Sequence, residues 1–246
     1  MEYNPQIKPL PFYKSFLLFC LPSLFFYFIA YIVIPYFEKE LGFHPLLAWF
    51  YGGILVFVLL FGLVLIIYRL EYKEIRVHQF LERLRVKKLS KRDLKLIAIA
   101  TALIFFITLG VKIIARFLMI KTGIPDLETA PPFINFRALI GFEKLYLLIW
   151  VPSFILNIIG EELLWRGYAL PRQELEHGKW AWFINSILWT TFHLCFGVDL
   201  LIILMPALFI IPLIVYKTKN TTVGIITHAL VNGPAFILLS LGIIKP

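Results

Sequence analysis

Two adjacent carboxylates, Glu161 and Glu162, are followed by Arg166 inside residues 154–170, a run that is otherwise mostly apolar. An ionisable side chain at membrane depth costs roughly 2.5–3.5 kcal/mol on insertion scales, so three of them in one apolar helix mark a candidate site. On an α-helix Glu162 and Arg166, four residues apart, share a face and can pair. Glu161 is rotated by about 100° from Glu162. That leaves Glu161 without an obvious local partner, free to take a proton from a neighbouring water. Two further apolar runs carry imidazoles. His193 closes the stretch Trp189-Thr190-Thr191-Phe192-His193, and His228 stands four residues before Asn232, on one helix face. At a rise of ~1.5 Å per residue, Glu161 lies roughly 15 Å from Pro171, His228 roughly 13 Å from Lys219 and His193 roughly 21 Å from Lys179. All three can therefore meet in one layer.

Each of these features has a bland reading. A lone buried histidine often only packs, and a Glu–Arg pair can hold helices together. Interhelical hydrogen bonds in membranes average only ~0.6 kcal/mol, however, so stability is a weak reason to keep four polar sites on three helices at one depth. A carboxylate, two imidazoles and an amide supply a base for water, a second proton carrier and donors for an oxyanion, which peptide hydrolysis requires. His44, His78 and His177 fall in loops or at the edges of spans and are set aside.

The elements that must position these groups are membrane helices. Of 246 residues, 60% are hydrophobic and 17% aromatic, against ~45–50% apolar in soluble domains, and the mean hydropathy is +0.85. The fold class expected is an all-α polytopic membrane protein, a bundle of about seven to eight transmembrane helices. Apolar runs at 12–36, 46–68, 96–120, 145–170, 180–196, 200–216 and 223–244 give seven spans. Pro152 offers a kink in the fourth, and Pro171 is expected to end it. The first span is too long for a cleaved signal peptide. Lys112 and Arg116, four apart near the far end of the third span, are expected to snorkel to the interface. Residues 121–142 read as a loop on the far side, with Pro125, Pro131 and Pro132.

The formal net charge is +9. The basic residues cluster between spans, which argues for positive-inside topology and anionic lipid rather than nucleic acid as a partner. Residues 69–95 carry the largest cluster and are expected to form an amphipathic, largely helical connector on the cytoplasmic face, with the N-terminus on the same side. Residues 1–140 are expected to supply N-terminal helices and residues 141–246 a catalytic core. Cys20 and Cys195 both lie in apolar runs and show no metal or disulfide spacing. Oligomeric state leaves no trace in the sequence.

Three motifs carry a family resemblance. Glu161-Glu162-Leu163-Leu164-Trp165-Arg166, Trp189 with His193, and His228 with Asn232 resemble the Glu-Glu-x-x-x-Arg, Phe-x-x-x-His and His-x-x-x-Asn motifs of the CPBP intramembrane proteases, which include CAAX proteases and bacteriocin-processing enzymes of the Abi family. Trp189 replaces the family's Phe and is expected to keep the aromatic wall. The resemblance covers about residues 145–240. It implies a glutamate-dependent endopeptidase of a prokaryotic cytoplasmic membrane, acting on a membrane-associated peptide or protein that is prenylated or not. Glu161 would be the base, with His193 helping to activate water. His228 and Asn232 would hold the oxyanion, and Glu162 and Arg166 would support them. No cofactor is favoured. Zinc held by Glu161, His193 and His228 is the competing reading, although no His-Glu-x-x-His motif is present. The resemblance equally allows a non-catalytic regulator or bacteriocin self-immunity scaffold of the same fold; the intact polar motifs favour the enzyme. A transporter would be expected to show paired halves or broken helices in repeat, and the sequence has none.

Overall fold

The computed structural model describes residues 7–72 and 76–244. Pro5 of the N-terminal segment, and Lys73, Glu74 and Ile75 of the basic connector, lie outside the described residues. Ten α-helices follow in chain order: α1 (Phe12–Phe28), α2 (Ile34–Lys39), α3 (Pro45–Glu71), α4 (Val77–Arg83), α5 (Lys91–Thr122), α6 (Leu147–Glu161), α7 (Leu170–His177), α8 (Ala181–Phe192), α9 (Val198–Thr218) and α10 (Thr221–Ser240). Among the described residues there is no strand, and six helical runs are long and apolar enough to cross a membrane. One of them, Gly141–Phe192, is 52 residues long. It reverses at Gly178, whose φ of +55° suits a residue without a side chain. The run thus contains both the fourth and the fifth expected spans, the fifth reduced to α8, 12 residues long.

Helix boundaries follow local chemistry. Ser90 accepts from the Asp93 N–H at 3.1 Å while Asp93 accepts from the Ser90 N–H at 2.9 Å, a reciprocal cap that starts α5. Gly123, at φ +74°, ends it. The Asn220 side chain accepts from the Thr222 N–H and starts α10. The fourth span does not stop at Pro171, as expected, but continues through α7 to His177. Proline has no N–H and clashes with the carbonyl four residues back. Here the preceding stretch, Glu162–Ala169, is wound as a π-helix, and Leu170 N–H reaches the Trp165 carbonyl five residues back. The wider turn carries the chain past Pro171 without breaking it.

Two rims close the bundle. On one, the Leu10 N–H donates to the Arg172 carbonyl at 3.2 Å, Arg172 pairs with Glu71, and Glu174 pairs with both Arg85 and Lys219. On the other, Asn135 donates to Glu38 at 2.6 Å, His44 meets Glu143 at 3.6 Å, and the Glu128 N–H donates to Asp199. The described part of the 69–95 connector, expected to be largely helical, is helical at 69–71, 77–83 and 91–95. Residues 84–89 then run as a strap over the end of α10, where Thr221 donates its hydroxyl to the Leu84 carbonyl at 2.6 Å and its N–H to the Arg85 carbonyl. Leu84 is buried in the core, so tertiary packing overrides the helical period.

Candidate active site

Glu161 ends α6 and is almost wholly buried. Both of its oxygens are engaged. Asn157, one turn earlier on the same face, donates to Oε1 at 2.6 Å. The Trp189 indole N–H donates to Oε2, also at 2.6 Å. The expectation of an unpartnered Glu161 is thus corrected: α6 and α8 each supply one donor. Neither donor carries charge, so the carboxylate is oriented without being neutralised, and each oxygen keeps a lone pair.

Glu162 faces the opposite way, into the protein. Its Oε1 lies 3.5 Å from Arg166 Nη1 and 3.0 Å from His228 Nδ1. Arg166 is wholly buried, with the guanidinium carbon 3.5 Å from the centre of the Trp189 ring. A buried ion pair needs such added contacts to offset its desolvation. Asn232 Nδ2 lies 3.0 Å from His228 Nε2. Since an amide nitrogen only donates, Nε2 accepts, and the ring carries its proton on Nδ1, where it donates to Glu162. A closed chain therefore runs from Asn232 through His228 and Glu162 to Arg166. Gly224 lets it form: a Cβ there would sit 2.4 Å from Glu162 Oε2 and 2.8 Å from Val215 Cγ2.

His193 follows the last residue of α8, and its Nδ1 lies 3.0 Å from the Trp189 carbonyl. A carbonyl only accepts, so Nδ1 carries the proton and Nε2 keeps a free lone pair. Trp189 therefore contributes at four points: to Glu161, under Arg166, and edge-on to His193 and His228, with ring centres 5.2 and 5.4 Å away.

A cavity of about 430 Å³ sorts these residues into two groups. Glu161, His193, Asn232 and Asn157 line it; Glu162, Arg166 and His228 stand behind. Its walls are otherwise mainly apolar and aromatic, from α3, α5, α6, α9, α10 and the loop between α5 and α6. A carboxylate, an imidazole and two amides thus line one mainly apolar cavity, groups able to activate water and to donate to an oxyanion. Asn157 is the residue that sequence reading missed. Its position four before Glu161, on the same helix face, was the available signal. Zinc does not fit. Among the described residues no three His, Cys, Asp or Glu side chains group as ligands, and both ring nitrogens of His228 are already engaged.

Residues 143–233, which hold all seven motif residues, match the family model of the Rce1-like type II CAAX prenyl endopeptidases. The resemblance to CPBP/CAAX proteases is borne out over that segment. No curated protein shows a significant match to the chain, and no solved structure does.

Proposed function

We propose that this chain, with an Rce1-like segment at 143–233, hydrolyses peptide bonds within the membrane using Glu161 as general base. The observation that carries this reading is the pair of neutral donors that aim Glu161 into the cavity. Water held between Glu161 and His193 Nε2 gives its proton to the carboxylate as its oxygen attacks the carbonyl carbon of the scissile bond. Asn232 donates to the oxygen that becomes negative. The C–N bond then breaks, and the leaving amine takes the proton from Glu161. His228 acts behind this layer as a positioning residue, fixing the Asn232 amide through Nε2 and tied in turn to Glu162 and Arg166. The proposed reaction uses no metal, and its substrate is a membrane-associated peptide or protein.

Glu161→Gln keeps size and polarity and removes the base. A positioned general base contributes ~10²–10⁴-fold, so cleavage of quenched peptides, farnesylated CAAX and unprenylated alike, should fall by at least about a hundredfold. The amount of folded protein in the membrane should be unchanged. Near-native turnover by that variant would rule Glu161 out as the base, and the ratio of the two wild-type rates shows whether prenylation matters.

A further inference from the structure

Two elements hold the inner chain of the site. Glu162 and Arg166 belong to the π stretch, His228 and Asn232 to α10. Their registration fixes the Glu162–His228 bond and, through His228, the Asn232 amide. On the basic rim a third segment lies between the same two elements. Leu84, in the strap at 84–89, is buried. On one side it packs on Gly167, the residue after Arg166, where an added Cβ would stand 3.0 Å from Leu84 Cβ and 3.1 Å from its carbonyl oxygen. On the other side that carbonyl accepts from the hydroxyl of Thr221, the first residue of α10, at 2.6 Å. Gly167 follows Glu162 by five residues and Thr221 precedes His228 by seven, so both contacts lie on the rim side of the Glu162–His228 bond.

The strap is fastened along its length. The Thr221 N–H donates to the Arg85 carbonyl at 2.8 Å. The Lys87 N–H meets Asn220 Oδ1 at 3.3 Å and Thr222 Oγ1 at 3.1 Å, and the Thr222 hydroxyl donates back to the Lys87 carbonyl at 2.8 Å. Arg85 and Lys219 both hold left-handed backbones, at φ +54° and +51°, a region that residues with a Cβ rarely adopt. Both reach one carboxylate, Glu174 of α7. Because α7 continues the π stretch, the strap is bonded to α10 and, through Glu174, to the helix that carries Glu162 and Arg166. A backbone in a disfavoured region persists where its surroundings over-determine it. A segment that only joined two spans would need no such fastening.

We propose that Leu84 and Thr221 are positioning residues: the strap sets how closely α10 approaches the π stretch, and so holds the Asn232 amide where it meets the scissile carbonyl oxygen as that oxygen becomes negative. Neither residue lines the cavity, so both act through the groups that do. For turnover this depends on the endopeptidase reading; for the tie between the two elements it does not.

The test uses the full chain in detergent micelles. Thr221→Val keeps the shape and removes the hydroxyl; Thr221→Ser keeps the hydroxyl. Misplacement of a positioned group by a change far from the chemistry can cost up to ~10²-fold, and Thr221→Val should lower kcat about tenfold with KM within about twofold. Thr221→Ser should restore most of the rate. In an Asn232→Ala background Thr221→Val should cost less than about twofold, because residues that act through one another are not additive. Independently of turnover, the His228 Nδ1 proton, assigned by its loss in His228→Gln, is followed by NMR of histidine-labelled protein. Thr221→Val should move it upfield and speed its exchange with water, and Thr221→Ser should not. Thr222→Val releases the strap at its half-buried end by Lys87 and should give the same signs at smaller size; it takes the place of Thr221→Val should that variant not fold. An unmoved His228 proton overturns the proposal. So does unchanged kcat, or a change in KM alone, in a chain that cleaves. An equal fall in kcat with and without Asn232 overturns it too, as a structural effect. A moved His228 proton in a chain whose wild type cleaves no peptide upholds the tie and strikes the endopeptidase reading instead.

Discussion

Trp189 holds more of the site than its place in a motif suggests. Its N–H donates to Glu161, and its face is an aromatic surface against the buried Arg166 guanidinium. Phenylalanine keeps most of the face and loses the donor. A hydrogen bond to a charged group is worth ~1.5–3 kcal/mol. Trp189→Phe should therefore lower kcat by about ten- to a hundredfold with little change in melting temperature. Trp189→Leu removes both contacts and should lower kcat and thermal stability together, because Arg166 loses its partner in an interior that offers its nitrogens no hydrogen bond. Native turnover in Trp189→Phe would show that the indole N–H does not aim the base. The sequence showed this residue as an aromatic substitution only; the distance to Glu161 depends on how α8 packs against α6, which spacing along one chain does not encode.

At the scale of helices, the decisive feature is the π-wound stretch between α6 and α7. The i to i+4 pattern of Glu162 and Arg166 was legible because both helical windings keep them on neighbouring faces. The winding itself was not, since Pro171 reads as a stop when only the α-helix is considered. π-turns concentrate at functional sites because they redirect side chains without ending the helix. Here one junction sends Glu161 to the cavity and Glu162 to the interior. The π stretch can lie against α10 only where α10 has no side chain, at Gly224. In Gly224→Ala the new methyl meets a carboxylate pinned by Arg166 and His228, so the clash cannot relax by a rotamer change. Overpacking of this kind costs ~1–3 kcal/mol. The melting temperature in detergent should drop, and turnover should drop further because the Asn232–His228–Glu162 chain shifts. Gly110→Ala on α5, where nothing lies within 4 Å of the added Cβ, provides the contrast and should be neutral or stabilising. A Gly224→Ala protein as stable as Gly110→Ala would mean that the helices do not approach this closely.

Across the whole molecule, the two rims differ in charge. The rim formed by residues 69–72, 76–95, 172–179 and 217–220 is strongly basic, with Arg85, Lys87, Lys88, Lys91, Arg92 and Lys219 among its members. The opposite rim mixes Glu38, Glu40, Asp126, Glu128 and Asp199 with fewer cations. Most spans were legible because they are long apolar runs, although α8 is only 12 residues. The strap at 84–89 was not, because its burial is set by contacts with α10 more than a hundred residues away. Lysine and arginine near span ends are retained on the cytoplasmic side, so the basic rim should face the cytoplasm. Glu40 and Glu176, both exposed, stand beside Glu38 and Glu174 on opposite rims. In a background with Cys20→Ala and Cys195→Ala, Glu40→Cys should react with a membrane-impermeant maleimide on intact cells, and Glu176→Cys only in inverted vesicles. Labelling of both from one side would break the pass count. Labelling with the sides exchanged would keep the count and turn the strap away from the cytoplasm.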